Sequence, residues 1–235
     1  MEHSSASKRG RSYCWQMKAT IFLSGAVTAI MLASGAPATA EQVRLTPPAK
    51  MVLPSAGGRE VAVFAGGCFW GVEGVFEHVR GVGSATSGYA GGKSSKPNYE
   101  QVSGGATGHA EAVRVVFDPR VVRYTDLLQI YFSVIADPTQ VNRQGPDSGT
   151  QYRTALFPTS ASQERQARAY IAQLRAQKAF ERPIVTKIES LHGFTIAEAY
   201  HQDFMAKNPA HPYILRWDRP KVTGLKRLFP SRYRS

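Results

Sequence analysis

A cysteine flanked by glycines lies where a predicted strand gives way to a predicted helix, in the stretch Gly66-Gly67-Cys68-Phe69-Trp70-Gly71. Residues 61–65 before it form an apolar run with β-branched valines, which is typical of a buried strand. After it, apolar side chains recur at helical spacing, at Val72, Val75, Phe76 and Val79. The pattern predicts a strand, a turn and a helix, with Cys68 at the helix N-terminus.

This position favours the charged form of the Cys68 thiol. The unpaired N–H groups and the positive dipole end of a helix N-terminus stabilise an anion, so they favour thiolate over thiol. A thiolate is a nucleophile, and the flanking glycines are expected to leave its sulfur accessible from solvent. Phe69 and Trp70 would form an apolar wall beside it. The alternative is that Cys68 is a small buried hydrophobe and both aromatic residues belong to the core.

Residues 1–40 have the pattern of a secretory signal peptide. A basic start is followed by the apolar run 19–35 and by Ala38-Thr39-Ala40, a small-residue cleavage site before Glu41. The pattern predicts an exported protein, periplasmic or secreted, with no membrane span after cleavage; an uncleaved anchor is the alternative. Residues 41–59 carry Pro and Gly and are predicted to be a linker to one catalytic domain, residues 60–235.

Export changes both the cysteine count and the charge. Cys14 lies in the predicted leader, so the mature chain would keep Cys68 alone, and a lone thiol in an oxidising compartment indicates a functional role. The leader carries a net +3, so the formal charge falls from +12 to +9 without it. Much of that charge lies in residues 216–234, which we interpret as a solvated basic face, with no nucleic-acid-binding pattern.

Near residue 111, side chains of a predicted strand alternate between its two faces, and this places a carboxyl group on the apolar face. Val113, Val115 and Phe117 share one face, and a period of two residues puts Glu111 on the same side. Burial disfavours a carboxylate, so Glu111 is expected to have a raised pKa and to serve as a general acid. The alternative is a glutamate at the strand end that is exposed or paired with an arginine.

Predicted strands and helices alternate along the rest of the chain. Further strands are predicted over 82–90, 150–157 and 183–189, with helices beginning at Thr125-Asp126 and Thr159-Ser160. This order predicts an α/β or α+β fold, with one sheet and helices packed on it.

The remaining polar candidates lie outside the predicted helices. Tyr99 is predicted to lie in the turn-rich loop 93–99, and Asp147 and Tyr152 at a loop-to-strand junction. The histidines show no metal-ligand spacing, so we interpret them as structural or surface residues and expect no metal. Those outside the predicted leader are His78, His109, His192, His201 and His211.

Four separated motifs, in order, resemble those of the A-type methionine sulfoxide reductases, the peptide-methionine (S)-S-oxide reductases. They are Gly67-Cys68-Phe69-Trp70-Gly71, Gly88-Tyr89-Ala90-Gly91-Gly92, Gly108-His109-Ala110-Glu111-Ala112-Val113 and Gly149-Thr150-Gln151-Tyr152-Arg153. The resemblance runs from about Val61 to Arg234. It implies a two-layer, ferredoxin-like α/β plait around a mixed sheet, acting on the S epimer of methionine sulfoxide, free or within proteins.

The resemblance also implies roles for individual residues. Cys68 is the expected nucleophile, and Phe69 with Trp70 is expected to hold the methyl group of the sulfoxide. Glu111 is expected to protonate the sulfoxide oxygen. The resemblance further implies two helpers of the acid and a supporting polar residue, namely Tyr99, Tyr152 and Asp147.

The chain departs from the family pattern in its second half. Many relatives carry further cysteines near the C-terminus, whereas residues 69–235 of this chain contain none. We therefore predict a single-cysteine, monomeric enzyme with no bound cofactor. Its sulfenic acid would be reduced by an external thiol, a thioredoxin-like protein, glutathione or a dithiol, through a mixed disulfide. Ala136 also stands where relatives often carry histidine.

Two other functions are compatible with the residues alone. A thiol hydrolase would use Cys68 with a histidine base and would consume no reductant. A non-catalytic, basic envelope-binding protein would use Cys68 only as a structural residue.

Overall fold

The chain folds around a mixed, six-stranded sheet. The computed structural model describes residues 43–55, 57–94 and 96–235. The sheet strands are β1 Glu60–Gly66, β2 Val82–Ala90, β3 Ala110–Phe117, β6 Thr154–Phe157, β7 Lys187–Ile188 and β8 Phe194–Ile196, and a separate hairpin holds β4 Arg143–Gln144 and β5 Asp147–Ser148. The order across the sheet is β7-β6-β1-β3-β2-β8, with β6 and β7 parallel and every other pair antiparallel. The mixed α/β sheet expected from the resemblance is therefore confirmed.

The helices are mostly short. They are α1 Phe69–Glu77, α2 Tyr99–Ser103, α3 Tyr124–Ile130, α4 Ala161–Ala176, α5 Phe204–Lys207 and α6 Arg219–Leu228. A π-helical turn, Tyr131–Ile135, extends α3, and another, Ile214–Asp218, precedes α6. The predicted cap of α4 is confirmed, because the Ser160 side chain accepts a hydrogen bond from the Gln163 N–H.

The two faces of the sheet bury different sets of residues. Val113, Val115 and Phe117 of β3 pack into the main core with apolar residues of α1, α3 and α4. Ala110 and Ala112, on the other face, belong to a smaller cluster beneath residues 191–194. The alternation of β3 therefore follows the predicted period of two, and Glu111 lies on the helix-covered face.

Three predicted elements differ from those observed. Tyr99 is the first residue of α2 rather than part of a loop, since Asn98 caps that helix with a capping box, and five residues are too few to show helical periodicity. The predicted strand 150–157 is divided into a 3₁₀ turn, Thr150–Tyr152, and β6. Of the predicted strand 183–189, only β7 pairs with the sheet.

Part of the predicted linker packs on the domain. Residues 43–48, the N-terminal strap, form no helix or strand, yet Thr46 is 1% exposed. The Thr46 hydroxyl lies 2.7 Å from the Ser133 hydroxyl and 3.0 Å from that of Tyr170. Val43 lies so close to α6 that a Cβ on Gly224 would be 2.5 Å from it. The strap therefore joins α4, the first π-helical turn and α6.

None of the helices among the described residues is both long enough and apolar enough to cross a membrane. The predicted signal peptide, residues 1–40, lies outside the described residues.

Candidate active site

Cys68 is the N-cap residue of α1, as the glycine pattern predicts. The chain leaves β1 through Gly67, whose φ of +90° is one that glycine adopts without strain. A Cβ at this position would also lie 2.5 Å from the Cβ of Gln144, so the turn requires glycine for space as well. The turn brings Cys68 to the positive end of α1, where a thiolate is stabilised.

The prediction of a solvent-accessible sulfur is wrong for this conformation, because Cys68 is only 1% exposed. Trp70 beside it is 3% exposed, since later parts of the chain cover its indole ring. Phe204 stacks on that ring at 3.7 Å between centroids, and His211 and Tyr213 approach it edge-on at 6.1 and 5.9 Å. The aromatic wall predicted from Phe69 and Trp70 is therefore enclosed.

Glu111 lies next to the cysteine in space. Its Oε2 atom accepts a 3.0 Å hydrogen bond from the backbone N–H of Phe69, the residue that follows Cys68. Glu111 is 1% exposed, so the alternative of an exposed strand-end glutamate is excluded. Burial raises its pKa well above the ordinary value, and the negative charges of Asp147 and Asp218 act in the same direction. The Phe69 hydrogen bond acts in the opposite direction without cancelling the shift, so the net change in the pKa of Glu111 favours its protonated form.

Asp147 reaches the site through a tyrosine that sequence reasoning missed. The Tyr213 hydroxyl donates a short hydrogen bond to the Asp147 carboxylate. Burial raises the pKa of Tyr213 well above its ordinary value, and the charge of Cys68 contributes next. Tyr213 therefore stays protonated beside the sulfur. Tyr213 precedes the basic segment 216–234, and no local sequence pattern marks it as part of the site.

Tyr99 is held near the site by Glu198. Its backbone N–H donates to Oε1 of Glu198 at 2.8 Å, and the Tyr89 hydroxyl donates to Oε2 at 2.7 Å. The Tyr99 ring lies 4.5 Å from that of His201, which in turn lies 4.9 Å from Phe69. His201 thus links Tyr99 to the aromatic wall.

Tyr152 has a less direct relation to the sulfur. It is 1% exposed and ends the 3₁₀ turn that packs against β3, the strand of Glu111. Ala136 packs against the end of β1: a Cβ on Gly66 would lie 3.2 Å from its Cβ.

His201 is a structural residue of this wall. Its Nδ1 accepts a 3.1 Å hydrogen bond from the Trp70 indole N–H, and the residue is 2% exposed. Burial lowers the pKa of His201 to about 4, although the nearby Glu198 carboxylate acts in the opposite direction. The imidazole is therefore neutral at physiological pH, which suits an acceptor of the indole hydrogen bond.

Replacing His201 with glutamine is expected to weaken the acid dependence of stability. As the pH falls through 6.5, the unfolded chain protonates this histidine and the folded chain does not until about pH 4, so the wild type loses stability over that window. Between pH 7 and pH 5 this group accounts for about 2 kcal/mol of unfolding free energy. Urea unfolding at both pH values should show a loss smaller by about this amount in H201Q. The exposed control variant H192Q should match the wild type; an H201Q loss equal to that of the wild type would contradict the assignment.

One group of carboxylates among the described residues has metal-like spacing. Ligand atoms of Glu73, Glu77 and Asp203 lie within 4.8 Å of one another. Glu73 already accepts backbone hydrogen bonds, from Ser87 N–H at 3.1 Å and Asp203 N–H at 3.0 Å, and burial raises its pKa to about 7. The group thus ties α1 to β2 and to the start of α5, and the absence of a metal requirement stays a prediction.

Comparison with known proteins adds an independent line of evidence. The sequence model of the family described as peptide methionine sulfoxide reductase matches residues 60–230. A peptide methionine sulfoxide reductase MsrA 2 from Mesorhizobium japonicum is 55% identical over 76% of this chain and 92% of its own length. A protein of the same description from Synechocystis sp. is 50% identical over 78% of this chain and 86% of its own length.

Solved structures agree with the sequence relatives. Reduced Mxr1 from Saccharomyces cerevisiae is similar with a TM-score of 0.58 and 34% identity, over 68% of this chain and 92% of that one. Methionine sulfoxide reductase A of Corynebacterium diphtheriae is similar with a TM-score of 0.56 and 35% identity, over 72% and 85%. The buried acid beside a cysteine at a helix N-terminus agrees with these relatives. The chain belongs to the peptide methionine sulfoxide reductase family, as an A-type enzyme.

Proposed function

We propose that Cys68 carries out the family's reaction, the reduction of methionine sulfoxide in protein repair, by attacking the sulfoxide sulfur directly. The sulfur of a sulfoxide is electrophilic, but its oxygen leaves poorly until it is protonated. A thiolate and a neutral carboxylic acid at one site meet both requirements. The hydrogen bond from the Phe69 N–H to Glu111 supports the proposal most directly, since it joins a buried carboxyl group of raised pKa to the backbone of the residue that follows Cys68.

The first half-reaction balances as a two-electron oxygen transfer. The Cys68 thiolate attacks the sulfoxide sulfur while Glu111 gives its proton to the oxygen. The attack joins the two sulfur atoms; the protonated oxygen then passes from the substrate sulfur to the Cys68 sulfur as the sulfur–sulfur bond breaks, which gives Cys68 sulfenic acid and releases methionine. Cys68 is oxidised by two electrons and the substrate is reduced by two.

The other site residues have roles in binding and support. Phe69 and Trp70 form the apolar surface for the methyl group, with Trp70 oriented by its hydrogen bond to His201. Tyr99 and Tyr152 are proposed to assist Glu111 with the oxygen, and Asp147 orients Tyr213. Because Cys68 is 1% exposed, the substrate binds only after the aromatic side chains that cover Trp70 move.

The second half-reaction needs a thiol from outside the chain. Residues 69–235 contain no cysteine, so the catalytic domain offers no second thiol to form a disulfide with Cys68. A thioredoxin-like protein, glutathione or a dithiol would condense with it to a mixed disulfide and release water, and a second thiol would restore Cys68. In this proposal the enzyme acts as a monomer, exported after cleavage at residues 38–40, on oxidised proteins and free methionine sulfoxide.

A single turnover without reductant tests this proposal. The purified mature protein, given one equivalent of methionine (S)-sulfoxide, is expected to release one equivalent of methionine and to gain the mass of one oxygen atom. A sulfenic-acid trap should then label Cys68, and the intact mass should correspond to a chain beginning at Glu41.

Other outcomes would contradict specific parts. In a chain that keeps Cys14, a loss of two hydrogens through a Cys14–Cys68 disulfide would contradict the external thiol, and a chain that retains Met1 would contradict export by cleavage. Ester or peptide hydrolysis that needs Cys68 and consumes no thiol would favour the hydrolase. The R epimer of the sulfoxide is the matched control and should leave the mass unchanged.

A further inference from the structure

A buried ion pair lies where α6 begins. Asp218 ends the second π-helical turn and is 0% exposed, and Lys221, in the first turn of α6, is 4% exposed. The Lys221 Nζ atom lies 3.6 Å from Oδ1 of Asp218. A charged pair is retained inside a protein when each charge compensates the other, because desolvation of either one alone is strongly unfavourable. The function described so far uses neither residue.

The pair is packed against the first turn of α1. A Cβ added to Gly71 would lie 2.1 Å from Oδ1 of Asp218 and 3.3 Å from Nζ of Lys221. Gly71 is therefore glycine because the carboxylate occupies the space of a side chain. Phe69 and Gly71 belong to the same first turn, so the carboxyl groups of Glu111 and Asp218 both lie at the N-terminus that Cys68 begins. The dipole of α1 favours negative charge there.

The negative charge of Asp218 is felt by two groups of the site. It raises the pKa of Glu111, to which burial contributes most and the charge of Asp147 contributes next. It also raises the pKa of Tyr213. Other titratable groups near Glu111 are Cys68 at the start of α1, Tyr89 of β2 and Asp147 of β5. Lys221 of α6 is the cation that pairs with Asp218.

We propose that Asp218 is a positioning residue that holds the proton on Glu111, and that Lys221 keeps the Asp218 carboxylate charged in the interior. The inference rests on the acid role proposed for Glu111. With Asp218 ionised, a second negative charge on Glu111 is unfavourable, so the acid stays loaded until the sulfoxide oxygen accepts its proton. Without Lys221, the buried Asp218 would take up a proton and its influence on Glu111 would be lost.

Infrared difference spectroscopy can follow the proton on Glu111 without relying on turnover. The carbonyl band of a protonated carboxyl group, identified by its absence in E111Q, is titrated against pH in the full mature chain. D218N is expected to lower the midpoint of this titration by about one pH unit, the size of effect that one nearby charge produces. K221M should lower it in the same direction. The double variant D218N/K221M leaves no unpaired buried charge, so it keeps the comparison valid if a single variant folds poorly.

Matched substitutions outside the pair serve as controls. D126N changes a partly buried carboxylate of α3 that pairs with Arg123 and Arg232, and K226M changes an exposed lysine of α6. Both should keep the wild-type midpoint of the infrared titration. Both should also keep the wild-type pH dependence of the single-turnover rate, which is expected to fall at high pH as Glu111 loses its proton. D218N should shift this fall to lower pH, together with the infrared midpoint.

Two failures can be distinguished. A Glu111 band that titrates identically in the wild type and in the folded D218N or D218N/K221M variant overturns this inference alone. A wild-type spectrum with no Glu111-dependent protonated carboxyl band at pH 7 overturns the acid role on which it rests.

Discussion

Replacing Cys68 with serine is expected to abolish sulfoxide reduction to the limit of detection. A serine hydroxyl is not ionised at neutral pH and cannot hold the transferred oxygen as a reducible sulfenic acid. The substitution is nearly isosteric at a position that is 1% exposed, so the fold should survive. The measurement is methionine formed from methionine (S)-sulfoxide with excess dithiothreitol, together with the thermal unfolding midpoint of each protein.

The chain offers a matched control for this substitution. Cys14 lies in the predicted leader, so C14S in the full chain should keep wild-type turnover. Turnover by C68S at a measurable fraction of the wild-type rate would remove Cys68 from its nucleophilic role. Loss of activity in both variants would instead indicate a disulfide chemistry that involves Cys14.

Replacing Glu111 with glutamine is expected to slow the chemical step by about 10²- to 10⁴-fold, the contribution of a positioned general acid. Glutamine can still accept the Phe69 N–H hydrogen bond, but it has no acidic proton to give. Single-turnover formation of methionine measures the step directly, so slow reduction of the sulfenic acid does not mask it. E164Q changes a half-exposed glutamate of α4, so it is the control and should react as the wild type does.

The pH dependence of the same rate identifies the protonated form as the active one. The Glu111 pKa is raised, so the acid is loaded below that pKa and is lost as the pH rises through it. The wild-type rate should therefore fall on the basic side, while E111Q should lack that limb. A wild-type rate in E111Q, or an unchanged basic limb, would show that another group supplies the proton.

Local sequence patterns were sufficient to predict where Cys68 and Glu111 lie in the fold. The glycines and the change of periodicity around Cys68 predicted the N-terminus of α1, since each depends on neighbours in the chain. The alternation of β3 predicted the buried face of Glu111 for the same reason. Both features are periodic patterns, of two residues in a strand and 3.6 residues in a helix, so a few neighbouring positions are enough to detect them.

The enclosure of the site could not be predicted in this way. The residues that cover Trp70 are Phe204, His211 and Tyr213, well over a hundred positions further along the chain, and nothing near them in sequence indicates their partner. The Asp218–Lys221 pair is an ordinary helical spacing of opposite charges until its burial against Gly71 is known. Such contacts depend on how distant elements pack, which periodicity does not encode.

The N-terminal strap sets the practical boundary of the folding unit. The family match begins at residue 60, but the hydrogen bonds of Thr46 and the contact of Val43 with α6 lie before it. A protein trimmed to the matched residues would expose the Ser133 and Tyr170 hydroxyls and loosen the helix that carries Lys221. Expression plasmids should therefore begin at or before residue 43, and purification tags are best separated from that end by a flexible spacer.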